Sequence, residues 1–209
     1  ARAPPADGRR SPLTVCARVS PNVPSLPPLA QDLSSDSEKR LLGGRRSLSV
    51  RPWQTASDLK ATLQKLLRVK LTQYEHQHGE SMGVSAVGQL LGNTLYGRRF
   101  FPYYTWNVVG GLDGEGVGCV YSYDPVGNYE RVRVSVTGSG ESLIQPLLDN
   151  QLERQHQSLG AKPPPLHIDL ELADAVDLVK DAFVSAGERD IKTGDSVEIC
   201  IITKEGVRI

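Results

Sequence analysis

From Trp53 onward, apolar side chains recur at helical spacing. Leu59, Leu63, Leu66, Leu67 and Tyr74 fall on one face of a helix, with Lys60, Lys65, Arg68 and Lys70 largely off it. Thr55 or Ser57 is placed to cap it, and Gly79 stops it after His78. A second helix starts at Ser81 or Ser85, turns Val84, Val87, Leu91 and Leu95 inward, and ends near Arg98-Arg99. The period then shortens towards two. Tyr104 to Val109, rich in aromatic and β-branched residues, reads as a strand ending at Gly110-Gly111. Asp113-Gly114-Glu115-Gly116 is a hairpin turn, and Val117 to Tyr123 is the returning strand. Asp124-Pro125-Val126-Gly127 turns again, and Arg131 to Val136 alternates as a strand with one wet face.

Beyond Gly138-Ser139-Gly140 a third helix carries Leu143, Leu147, Leu148 and Leu152. Residues 153–168, with Pro163, Pro164 and Pro165, form a polar loop. A fourth helix runs from Leu172 to Ala186, with Val176, Val179 and Phe183 at helical spacing. Thr193-Gly194-Asp195 turns the chain into a strand from Val197 to Thr203. Lys204-Glu205-Gly206 then leads into Val207-Arg208-Ile209. Strand runs alternating with helix pairs predict an α+β domain, an antiparallel sheet with helices layered on it, rather than a doubly wound sheet.

The first 52 residues have a different texture. They hold eight of the fourteen prolines and no aromatic residue. Nine Lys/Arg stand against four acids there, a net of +5, so residues 53–209 carry −5 within a chain that balances at 24 of each sign. Such a segment buries too little surface to offset its ordering entropy, and the expectation for residues 1–52 is a mostly disordered or non-homologous segment. Its Arg- and Ser-rich start also suits a targeting peptide. However, Pro4, Pro5, Pro12, Pro21, Pro24, Pro27 and Pro28 exclude the amphipathic helix such a peptide needs.

Composition narrows the function classes. Overall neutrality argues against general nucleic-acid binding, because phosphate affinity needs a basic surplus. Cys16, Cys119 and Cys200 are too few and too scattered for a disulfide scaffold or a four-Cys zinc site, which fits a reducing compartment. The apolar run Ile199 to Ile202 is far short of the roughly 20 residues that cross a bilayer.

Little catalytic chemistry announces itself. Gly138-Ser139-Gly140 lacks the spacing of a phosphate-binding motif and reads as a strand-to-helix turn. His76 and His78, two apart on a helix, point in opposed directions and cannot share a metal. His156 and His167 lie in the Pro-rich loop with no ligand cluster around them. A triad assembled from distant positions stays open. Arg189-Asp190, ahead of Thr193-Gly194-Asp195, reads from spacing as a buried ion pair bracing a turn, with a place in a site the alternative.

Longer runs carry more information. Gly97-Arg98-Arg99-Phe100-Phe101-Pro102-Tyr103-Tyr104, Gly110-Gly111-Leu112-Asp113 and Tyr121-Ser122-Tyr123-Asp124-Pro125-Val126-Gly127 resemble the proteasome β-subunit family. So do Gln145-Pro146-Leu147-Leu148-Asp149-Asn150-Gln151, Val179-Lys180-Asp181 and Glu188-Arg189-Asp190 with Thr193-Gly194-Asp195. The resemblance covers residues 54 to 209. Within the family these runs are most similar to a non-catalytic member at the sixth position of the β ring.

That resemblance implies a four-layer αββα sandwich of the N-terminal nucleophile hydrolase type, here lacking its first strands. It implies a structural role in the 20S core particle, in cytoplasm and nucleus. The implied partners are the other β subunits of the ring, the α-ring subunits and the opposite β ring, with no nucleic acid, membrane, cofactor or metal. In active relatives a free N-terminal Thr is the nucleophile and its own amine the base. This sequence has no Gly-Thr pair and starts at Ala1, so no catalytic residue is expected. Ser139, Asp190 and Thr193 match only the groups that support the nucleophile elsewhere in the family.

Two other readings stay open: a threonine- or serine-type peptidase, and a truncated or mis-spliced product that does not assemble. Without the first strands, Val108, Val120 and Ile201 would be inner-face residues lacking a partner layer.

Overall fold

The computed structural model describes residues 14–20, 48–49, 58–153 and 170–208. The elements run β1 (Thr14–Ser20), β2 (Leu48–Ser49), α1 (Asp58–His78), α2 (Val84–Tyr96), β3 (Asn107–Leu112), β4 (Gly118–Tyr123) and β5 (Tyr129–Val132). They continue with α3 (Glu141–Leu148), extended by a π turn over Asp149–Glu153, then α4 (Leu172–Gly187), β6 (Ser196–Thr203) and β7 (Gly206–Arg208). Two antiparallel sheets result, with strand orders β2-β3-β4-β5 and β1-β6-β7. The α+β class expected from the pattern is the class observed.

Within residues 1–52, expected to be disordered or non-homologous, two stretches form strands, so disorder is corrected there. Thr14–Ser20 pairs along its whole length with β6, from Thr14 opposite Ile202 to Ser20 opposite Ser196. Thr-Val-Cys-Ala-Arg-Val-Ser has two valines and a threonine, and a ladder satisfies backbone groups that composition alone does not reveal. Leu48 and Ser49 similarly meet Gly111 and Gly110 of β3. The remaining residues of that segment, the caps Thr55 and Ser57, and residues 154–168 of the Pro-rich loop lie outside the described residues.

The main core lies between the α1–α2 pair and one face of β3 and β4. Leu63, Leu67, Val84, Leu91 and Leu95 meet Val109, Cys119, Tyr121 and Tyr123 there. The buried Tyr123 hydroxyl donates to the Gly88 carbonyl at 2.8 Å, tying β4 to α2. The opposite face of β3 turns Leu112 to Cys200 and Ile202 of β6, and here the two sheets meet. Because Cys200 and Ile202 point that way, alternation puts Ile201 on the other face of β6, contrary to the expected inner position. Val108 does share the Leu112 face and is buried.

Boundaries moved for identifiable reasons. Neither Ser81 nor Ser85 caps α2; Gly83 occupies the cap position, and Ser85 Oγ is 3.2 Å from the Tyr121 hydroxyl. β3 starts at Asn107 rather than Tyr104, because Tyr104 sits at φ 51, which no strand allows. Gly110 and Gly111 do not end β3 but stay in the ladder, opposite Val120 and Cys119. β5 ends at Val132, short of Val136, whose amide donates to Gln145 Oε1 at 2.8 Å and so directs the chain towards α3. Both predicted turns are present, each closed by an Asp carboxylate. Asp113 Oδ1 accepts from the amides of Glu115 and Val117, and Asp124 Oδ1 from those of Val126 and Asn128.

Candidate functional site

Two loops converge where α3 begins and α4 ends. The helices pack through Ile144, Ala182 and Ala186, with Val136, Leu147, Leu148 and Phe183 around them. Periodicity placed Leu143 and Leu172 on this inner side, but both are exposed and the two small alanines take the contact. Small residues let the helix ends approach closely. A Cβ on Gly140 would stand 3.7 Å from the Ala186 Cβ and 3.3 Å from Thr193 Oγ1, so glycine permits the closest part of this approach.

This convergence gathers Ser139, Asp190 and Thr193, the three positions singled out in the sequence. Ser139 Oγ donates to Asp190 Oδ2 at 2.6 Å, and Thr193 Oγ1 donates to the same oxygen at 2.7 Å. The Lys192 amide donates to Asp190 Oδ1 at 3.1 Å, and the Thr193 amide to the Asp190 carbonyl at 3.1 Å. Residues 51 apart in sequence are therefore joined through one carboxylate. The expected Arg189–Asp190 ion pair is not what braces the turn. Hydroxyl and amide donors do so, and the Arg189 amide bonds to the Ala186 carbonyl. Spacing misled because adjacent residues in a tight turn project apart. The Lys192 amide had no signal in the sequence, since any residue supplies it.

The electrostatics follow from the donors. The Ser139 hydroxyl first, then the Thr193 hydroxyl and the Lys192 amide, hold the Asp190 carboxyl below the ordinary carboxylate range. A carboxylate so stabilised is a weak base, and its three donors brace the two loops against each other.

The histidines stand apart. His78 lies in the last turn of α1, with Nδ1 3.0 Å from the Tyr74 carbonyl and its ring stacked on Tyr74 at 4.0 Å, and His76 is exposed beside it. His156 and His167 fall outside the described residues. Among the described residues no group of His, Cys, Asp and Glu could hold a metal. No helix there is long and apolar enough to cross a membrane. Gly138-Ser139-Gly140 is the strand-to-helix turn expected, with the Glu141 amide donating to the Gly138 carbonyl at 3.1 Å.

Comparison with known proteins decides the lineage. The profile of the family described as "Proteasome subunit" matches residues 55–202. The chain belongs to the proteasome subunit family. A protein of Arabidopsis thaliana named proteasome subunit beta type-1 is 50% identical over 177 residues, covering 84% of this chain and 78% of that protein. The Petunia hybrida protein of the same name is 52% identical over 159 residues, 73% of this chain and 67% of its own. Proteasome subunit beta type-1-B of Carassius auratus is 49% identical over 147 residues, 70% of this chain and 60% of its own. The family match spans α1 through Ile202 of β6, so the loops that carry Ser139, Asp190 and Thr193 lie inside it.

Proposed function

We propose that this chain is a structural, non-catalytic β-type subunit of the 20S proteasome core particle, contributing to ring assembly for protein degradation in cytoplasm and nucleus. The observation that carries the reading is the match across residues 55–202, together with about half-identity to proteins named beta type-1. On this reading the partners are neighbouring β subunits, the α ring and the opposite β ring.

A four-layer αββα sandwich is part of the same proposal. In its favour, α1 and α2 cover one face of the β2–β5 sheet, while Leu112 on the other face meets Cys200 and Ile202. The non-catalytic role rests on the resemblance of the sequence runs to the non-catalytic member of the family.

The test is direct. The full chain, co-produced with the other core subunits, is to be recovered in assembled particles and probed with a reagent that acylates N-terminal threonine. Incorporation without labelling of this chain is the expected result. Labelling of this chain would refute the non-catalytic role, and exclusion from particles would refute the assembly role.

A further inference from the structure

The stretch joining α2 to β3, with the end of α2, holds five exposed aromatic rings. Phe100 is 97% exposed, Tyr104 80%, Phe101 79%, Tyr96 59% and Trp106 51%. A monomer gains nothing by holding five large rings in water, and a contiguous patch of this kind marks an interaction surface. The patch is also ordered. The amides of Arg98, Arg99 and Phe101 bond to the carbonyls of Leu95, Tyr96 and Arg98, and buried Tyr103 anchors the middle. Tyr104 keeps a left-handed backbone at φ 51 while its ring faces solvent.

Two guanidinium groups are built into this surface. Arg98 lies 5.5 Å from the Tyr103 ring centroid, and Arg99 lies 5.6 Å from Tyr96 and 5.7 Å from Phe100. These cation–π contacts, with Arg99 Nη1 donating to the Tyr96 hydroxyl at 3.3 Å, leave further donors for a carboxylate partner. Among the described residues neither guanidinium has an ion pair. From Thr94 to Asn107 there are two arginines and no acid, within a region (53–209) whose net charge is −5. The patch is thus basic on an otherwise acidic body. Aromatic rings with arginine are the composition of the energetic centre of protein interfaces.

We infer that Tyr96 to Trp106 is a subunit-docking patch, and that its occupant is the face of a neighbouring proteasome subunit with an apolar recess rimmed by carboxylates. This rests on the assembly role proposed above and adds the contact residues and the partner's chemistry. Phe100 and Phe101 fill the recess, while Arg98 and Arg99 set orientation through the acidic rim.

The experiment uses the full chain co-produced with the other core subunits, as wild type, as Phe100→Ser with Phe101→Ser, and as Arg98→Glu with Arg99→Glu. Wild type enters particles, and each double variant falls by at least about ten-fold in incorporation, the scale expected for losing interface anchors. Thermal unfolding of each isolated variant stays within a few degrees of wild type, because the altered side chains are exposed. A photo-cross-linking residue at position 100 covers the case of a variant that does not fold. The expected product joins this chain to an acidic segment of another subunit. Normal incorporation of both variants, or a cross-link confined to this chain or to a face without carboxylates, overturns the inference while leaving the assembly role standing. Failure of wild type to enter particles overturns both.

Discussion

Replacing Gly127 with alanine should be among the most damaging single-methyl additions in the molecule. Gly127 closes the turn between β4 and β5 at φ +92, and the turn lies against the last turns of α2. A Cβ there would stand 2.5 Å from the Gly92 carbonyl oxygen, 2.9 Å from the Tyr96 amide nitrogen and 3.1 Å from the Leu95 Cβ. Two of these are backbone atoms of a helix, which cannot rotate aside as a side chain would. A left-handed non-glycine backbone costs about 1–2 kcal/mol. Forcing extra volume into a filled contact adds about 1–3 kcal/mol. The sum, about 2–5 kcal/mol, is a large part of the roughly 5–15 kcal/mol that holds a domain together.

Gly79→Ala supplies the control. Gly79 has φ +71 with nothing within 4 Å of its would-be Cβ, so it carries the backbone cost alone. Urea unfolding of the full chain, followed by circular dichroism at matched slopes, separates the two contributions. Gly127→Ala should lose about 1–3 kcal/mol more than Gly79→Ala. Equal losses would refute the close packing of the turn on α2.

Four other outcomes follow from the structure. Leu95→Ala and Ile202→Ala remove fully buried side chains from separate core clusters, and each should lower unfolding free energy by about 2–5 kcal/mol; an effect below 1 at either site would disprove its burial. The Asp190 carboxyl is held below its unfolded value, so its stabilising contribution is complete above about pH 4 and is lost as pH falls through the folded value. Asp190→Asn should therefore flatten the acid limb of stability against pH, whereas parallel limbs would contradict the hub. Cys119 and Cys200 are buried, and burial raises the Cys119 thiol above its ordinary range. Peptide mapping after alkylation should find both unmodified in the native chain and modified in denaturant, with rapid native modification the contrary result.

The helices were legible because their evidence is local. Val84, Val87, Leu91 and Leu95 all proved buried, and so did Leu63 and Leu67. The two Asp-started turns were legible for the same reason, since Asx chemistry acts within four residues. What escaped depends on partners far along the chain. Thr14–Ser20 becomes a strand only beside β6, and the Arg131–Val136 alternation yields to a bond from Val136 to Gln145. In α4 the leucine and valine periodicity concealed that Ala182 and Ala186 make the helix contact. For the site, resemblance supplied Ser139, Asp190 and Thr193, but only the converging helix ends explain their meeting. Spacing suggested an Arg189 partner for Asp190, and the fold supplied two hydroxyls instead.

The central claim is that this chain is an assembling member of the proteasome family, and one measurement addresses it most directly. Core particles purified from cells expressing the affinity-tagged 209-residue chain are to be weighed intact by native mass spectrometry and then dissociated into subunits. The account predicts the tagged chain in fixed stoichiometry within complete particles. Recovery of the chain only as a free monomer, with tag-free core particles assembled beside it, would contradict the account.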